Sequence, residues 1–183
     1  MDESQAQART GFAGLPLMTE YVDGRTWRVL SPVYRPVTYR PSMLAVIDAG
    51  YRDLFILDGA LRVPTVVVPH LYVSDWASIP RLFWRLLPPA GDGPDSAWGP
   101  AAVIHDVLYS GAGGVKVTRA QGDAVFDLAM RDLAVTDWKR VAMYKGVRVG
   151  GWVAWRRYRQ EAEGKRMPAK LKVMERVERD VQP

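Results

Sequence analysis

Hydrophobic positions change their period part-way along the chain. From Gly24 to Ser74, short apolar runs rich in Val, Ile and Tyr are cut by Pro and Gly, a pattern that predicts strands and turns in a small antiparallel sheet. Asp58-Gly59 lies between Leu54-Phe55-Ile56-Leu57 and Leu61-Arg62-Val63, and an Asp-Gly pair between apolar runs predicts a tight hairpin. Val66-Val67-Val68 and Leu71-Tyr72-Val73 read as a further, irregular strand broken at Pro69.

After Pro80 the period becomes helical. Arg81 to Leu87 suits a short helix, and a loop rich in Pro and Gly runs from Pro88 to Gly99. Pro100 stands where the first turn of a helix tolerates a missing amide, and the helix over Ala101–Tyr109 ends in a Gly-rich run from Ser110 to Gly114. Thr118 with Gln121 has capping-box spacing and opens a second helix to about Ala134. Thr136 caps a third and longer one through about Gln160. A basic tail follows, with Leu171, Met174, Val177 and Val181 on one face of a short amphipathic segment. The expected fold class is α+β, an N-terminal antiparallel β-sheet followed by a three-helix C-terminal half. The expected organisation is an extension over 1–23, one domain over 24–162 and the tail over 163–183. No internal repeat is visible, which excludes solenoids and propellers.

Composition narrows the chemistry. With 183 residues, 48% hydrophobic and 25% charged, the chain can bury a core without staples, and it contains no cysteine. Thiolate nucleophiles, thiolate metal sites and disulfides are therefore excluded, which fits a reducing compartment. The balance of 25 Lys and Arg against 20 Asp and Glu, net +5, favours anionic partners: nucleic acid, phospholipid headgroups or cell-wall polymers. Neither a secretory leader nor a membrane span is expected, because no apolar window is long enough.

Candidate chemistry concentrates in the first two of the three helices. His105 and Tyr109 are four apart and share a helix face with Ala101 and Leu108, with Asp106 about a quarter-turn away. In the second helix, Asp123, Phe126, Met130 and Leu133 recur at steps of three, four and three, which puts a carboxylate on the buried face. Such a group costs several kcal/mol unless it is paired, about 3 kcal/mol or more by the usual scale. The loop between the helices is short enough for antiparallel packing that brings Asp123 onto His105. A His–Asp pair of this kind either fixes the ring as a base or simply joins two helices. Asp75, in Ser74-Asp75-Trp76-Ala77-Ser78-Ile79-Pro80, is either a turn residue or, with Asp106, an oxygen ligand for a hard cation such as calcium. His70 is a rim residue, a ligand or neither. Trp152, Trp155 and Tyr158, interleaved with arginines, suit a membrane interface or phosphates, but at helical spacing they are more often core. Gly150-Gly151 in the same helix predicts a kink or close packing against a neighbour.

Four ordered motifs carry a family resemblance. They are Ser-Asp-x-Ala-Ser-Ile-Pro-Arg from Ser74, Ala-Ala-Val-Ile-His-Asp-x-Leu-Tyr from Ala101, Arg-x-x-x-Asp-x-x-Phe-x-x-x-Met from Arg119 and Met-Tyr-x-x-Val-Arg-x-Gly-Gly from Met143. Over roughly Val63 to Trp155 the chain resembles a family of small tailed-bacteriophage proteins known only as a domain of unknown function. That resemblance implies a phage or prophage origin and a place in the host cytoplasm or the virion. His105-Asp106-x-x-Tyr109, with Asp123 eighteen residues after the His, also resembles the active-site helices of small bacterial and fungal phospholipases A-two. By position, that resemblance implies His105 as base, Asp123 as its partner, Tyr109 as a supporting hydroxyl, and Asp106 with Asp75 as calcium ligands. The absence of disulfides, Trp76 after the loop Asp and the strand-rich N-terminal half depart from that pattern. The expectation is a calcium-dependent, phospholipase-like hydrolase of the host envelope acting at an anionic lipid or cell-wall surface. Its alternatives are a non-catalytic virion or assembly component meeting other virion proteins, and a metal-dependent cell-wall peptidase, for which one nearby histidine makes a poor zinc site. No specific nucleic acid is expected as a partner.

Overall fold

The computed structural model describes residues 11–15, 18–23, 26–30, 36–74, 98–112 and 114–162. Among the described residues eight short strands lead, and the three predicted helices follow, giving an α+β fold. The strands form three small sheets, all antiparallel. β1 (Phe12–Ala13), β4 (Thr38–Tyr39) and β7 (Val66–Val67) make one, with β4 central. β2 (Thr19–Asp23), β3 (Thr26–Val29) and β8 (Val73–Ser74) make the second, with β3 central.

The third sheet is the predicted hairpin. β5 (Ile56–Leu57) pairs with β6 (Ala60–Leu61) across Asp58-Gly59, whose φ values of 50° and 74° are both left-handed, as a turn matched to strand twist requires. Leu54 and Phe55, expected to extend β5, belong instead to a 3-10 turn over Arg52–Phe55. Phe55 is buried there, so packing overrides its strand preference. The single broken strand expected across Pro69 is in fact two. Val66–Val67 joins one sheet and Val73–Ser74 another, and Leu71 between them takes a left-handed φ of 58°.

One helix lies where only strands were expected. In α1 (Met43–Asp48) the Ser42 side chain accepts the amide of Ala45, and Val46 is the one fully buried residue. The later helices are α2 (Gly99–Ser110), α3 (Arg119–Asp132) and α4 (Asp137–Ala162). Gly111 stops α2 with a φ of 70°, and the Thr118–Gln121 capping box opens α3. α3 ends two residues before the expected Ala134, whose φ is 54°. Among the described residues no helix is long and apolar enough to cross a membrane. The segments read as a short helix from Arg81 and as an amphipathic tail lie outside the described residues.

One core joins the two halves. Phe12, Val29, Tyr39, Val46 and Val66 belong to the same buried cluster as Ile104, Leu108, Phe126, Leu128 and Met143. α2 is buried over nearly its whole length, because sheet residues cover one side and α3 and α4 the others. α3 and α4 are tied by charge as well. Asp127, fully buried, accepts from Arg140 of α4, from Arg131 one turn on (2.9 Å) and from the Tyr51 hydroxyl (3.1 Å).

Breaking that network leaves the largely buried Arg140 guanidinium with only the exposed carboxylate of Asp137 as counter-charge. Asp127→Ala is expected to cost about 3 kcal/mol, read as a lower urea midpoint at unchanged slope.

Candidate active site

His105 is completely buried on α2, against the rings of Tyr109 (centroids 4.0 Å apart) and Phe126 (4.8 Å). His105 meets Phe126 while Tyr109 meets Gly122, so α2 and α3 run antiparallel. That geometry delivers Asp123 to the imidazole, with His105 Nε2 3.1 Å from Asp123 Oδ1. The same oxygen accepts the Tyr109 hydroxyl at 2.5 Å. The other carboxylate oxygen accepts Arg148 of α4 at 2.7 Å, with Arg119 of α3 3.7 Å away.

Burial by itself raises the Asp123 carboxyl, but the bonds from His105, Tyr109 and Arg148 outweigh it and hold the group below its ordinary value. Burial and the neighbouring carboxylate push the Tyr109 phenol above the usual range, so it stays a donor. The Arg148 guanidinium is raised by its bond to Asp123. An ionised carboxylate only accepts, so Nε2 of His105 must carry the proton it shares with Asp123. In the neutral ring Nδ1 then holds a bare lone pair. Nδ1 is buried and, among the described residues, has no hydrogen-bond partner.

The second predicted pair is placed in part. Asp106 is fully buried and accepts the hydroxyl of Ser74, at the end of β8. Asp75, the next residue, lies outside the described residues. Among the described residues no three His, Cys, Asp or Glu side chains converge as a metal site. His70 is exposed, in a turn, whereas His105 lies in the core.

α4 closes the site. An added Cβ on Gly151 would lie 2.6 Å from the Tyr109 hydroxyl oxygen, so glycine lets this helix approach the phenol, as the Gly-Gly pair predicted. Trp155 packs edge-on against Tyr109 (5.1 Å) and carries Arg159 on its face (4.1 Å). Of the three aromatics read as core, Tyr158 is buried, Trp155 is half-buried and Trp152 is exposed. Trp152 lies a helical step of about 100° beyond Gly151, off the packed face.

The arginines around Asp123, and the whole Asp127 network, were absent from the expected site. A signal for them exists. Asp127 is four residues after Asp123 and therefore shares its buried face, while Arg140 and Arg148 repeat at eight on the next helix.

Residues 55–147 match the family model described as a protein of unknown function (DUF1353). That span holds the hairpin, His105, Tyr109, Asp123 and Asp127 and stops one residue short of Arg148. No curated protein and no solved structure matches the chain.

Two outcomes test this geometry. Gly151→Ala should lower stability by about 1–2 kcal/mol through its clash with the Tyr109 hydroxyl. In a Tyr109→Phe background the clash is gone, and the same change should be neutral or stabilising, because alanine is the better helix former. Because the Asp123 carboxyl is lowered on folding, its contribution is present above its unfolded value of 3.8 and lost as pH falls through the folded one. The stability gap between wild type and Asp123→Asn should therefore narrow below pH 3.8 in urea titrations.

Proposed function

The chain belongs to the DUF1353 family, whose function is unknown, and from its buried dyad we propose a phage-encoded, phospholipase-like hydrolase of the host envelope. One observation carries the reading: the imidazole of His105 is pinned at Nε2, while its buried Nδ1 has no hydrogen-bond partner among the described residues. Orphaned buried acceptors are rare, and a catalytic role is one standard reason for keeping one. The order of the four motifs supports the phage origin, and the shared Asp123 supports the phospholipase likeness.

The step is general-base hydrolysis. Nδ1 takes a proton from water, the water oxygen bonds to the acyl carbon, and the ester C–O bond breaks. The leaving alcohol receives the proton from Nδ1, so a fatty acid and an alcohol are released. Asp123 holds the ring's tautomer and direction, and Tyr109 and Arg148 hold Asp123. Asp106, which accepts the Ser74 hydroxyl, would hold a calcium ion together with Asp75. Calcium bound there would supply positive charge for the oxyanion.

A second reading rests on a different observation. The Asp123 charge is already met by two arginines that reach in from the surface, while Asp123, His105 and Tyr109 are fully buried, which is what a device joining three helices needs. In that case the protein is a non-catalytic virion or assembly component.

Purified protein incubated with anionic phospholipid vesicles and calcium should release fatty acid. His105→Ala should abolish the release in a protein that remains folded, and a chelator should stop it. Calcium at about 100 times its dissociation constant should raise stability by roughly 2.7 kcal/mol. No release from vesicles, an unmoved melting point in calcium and stoichiometric copies in purified particles would replace the hydrolase with the assembly component.

A further inference from the structure

α4 has a second face that the core does not use. Met143, Val147, Gly151 and Tyr158 turn inward. On the opposite side Trp138, Val141, Lys145, Val149, Trp152 and Arg156 are all exposed. At about 100° per residue they fall within an arc of about 80° along about 27 Å of helix. Three of its apolar members are more than half exposed, Trp138 61%, Val149 77% and Trp152 51%, and Val141 is 37% exposed.

Charge decides what such a stripe fits. Its cations lie against its aromatics, with Arg156 over the Trp152 ring (5.9 Å) and Lys139 at its edge over Trp138 (5.7 Å). The acidic side chains of α4 point elsewhere. Asp137 sits about 100° from Trp138 and bonds Arg140, and Glu161 is turned to Arg157. A second copy laid on this stripe would bury Lys145 and Arg156 with no anion on the facing surface, which costs more than the apolar contact returns. A nucleic acid would meet the cations but leave the valines without a role. A bilayer surface of anionic phospholipid meets all three groups at once. Aliphatic side chains enter the acyl boundary, tryptophans sit at the headgroup level, and lysine and arginine meet the phosphates.

We infer that the outer face of α4 is a membrane-docking surface by which the protein lies on anionic phospholipid bilayers. The inference rests on the lipid-directed part of the function proposed above and is independent of turnover at His105.

The test is co-flotation of the full chain with vesicles of phosphatidylglycerol and phosphatidylcholine, or of phosphatidylcholine alone. The protein should float with the mixed vesicles and stay behind with the neutral ones, and rising salt should release it. Lys145→Glu should weaken binding by more than about tenfold, because it removes one attraction and adds one repulsion. Val149→Asp and Trp152→Ala should each weaken it too, with unchanged melting points, since all three sites are exposed. His105→Ala should bind as wild type does, so a failed hydrolase and a failed docking surface give different results. Equal binding to neutral vesicles, or binding that survives Lys145→Glu and Val149→Asp, overturns the inference. So does a dimer in sedimentation that Val149→Asp dissociates, or DNA binding that Lys145→Glu abolishes in place of lipid binding.

Discussion

A carboxylate without water is the constraint around which the helical half is arranged. Asp123 is fully buried, so each of its oxygens needs donors, and the chain supplies them from two neighbouring helices, His105 and Tyr109 from α2 and Arg148 from α4, with the charge of Arg119 on its own helix close by. Each donor fixes a neighbour. The histidine must face α3, which sets how α2 rotates about its axis. The arginine must reach in from α4, which sets how far that helix slides. Removing any one donor would leave the others holding an under-compensated charge in a dry interior, so the arrangement is cooperative.

Glycine and a second carboxylate make that arrangement unique. α4 can lie against Tyr109 only because residue 151 has no side chain, and the close approach is what brings Arg148 within reach of Asp123. One turn further along α3, Asp127 repeats the device with Arg140, at the other end of the same contact. The two arginines are eight apart on α4 and the two carboxylates four apart on α3. A one-turn slip of either helix would unpair at least one buried charge, so the register is specified by charge where apolar packing alone would tolerate alternatives.

Much of this was legible in the chain because it depends on local rules. The Asp58-Gly59 turn, the Thr118–Gln121 cap, the Gly111 stop and the buried face of α3 are written in adjacent residues, and the His105–Asp123 contact follows from two helix faces and one short loop. The misses share a different cause. α1 is six residues long with Met43, Leu44 and Ile47 exposed, so it carries no amphipathic period, and only Ser42 marked it. Leu54 and Phe55 have strand preference but are held in a 3-10 turn by the burial of Phe55. Trp152 and Trp155 look equivalent by spacing, yet the boundary of the packed face falls between them, and only the position of Tyr109 decides which is covered. Asp127 could have been found by the reasoning applied to Asp123, since both lie on one face among the same apolar residues.

Charge balance separates a catalytic cluster from one that only joins helices. Asp123 brings one negative charge and faces two guanidinium groups, so the cluster has no spare anion to offset a protonated imidazole. A His105 that accepts a proton at Nδ1 therefore needs a second negative charge beside that nitrogen, in a region where water does not screen it. Ester hydrolysis generates one at the moment of proton transfer, when the attacking oxygen makes the acyl oxygen an oxyanion. A joint between helices makes no such demand, because it uses only the nitrogen that meets Asp123. Nδ1, which meets no partner among the described residues, has no use in the joint and would be the working atom in the proposed hydrolase, so the proposal rests on that nitrogen while the arginines fit either reading.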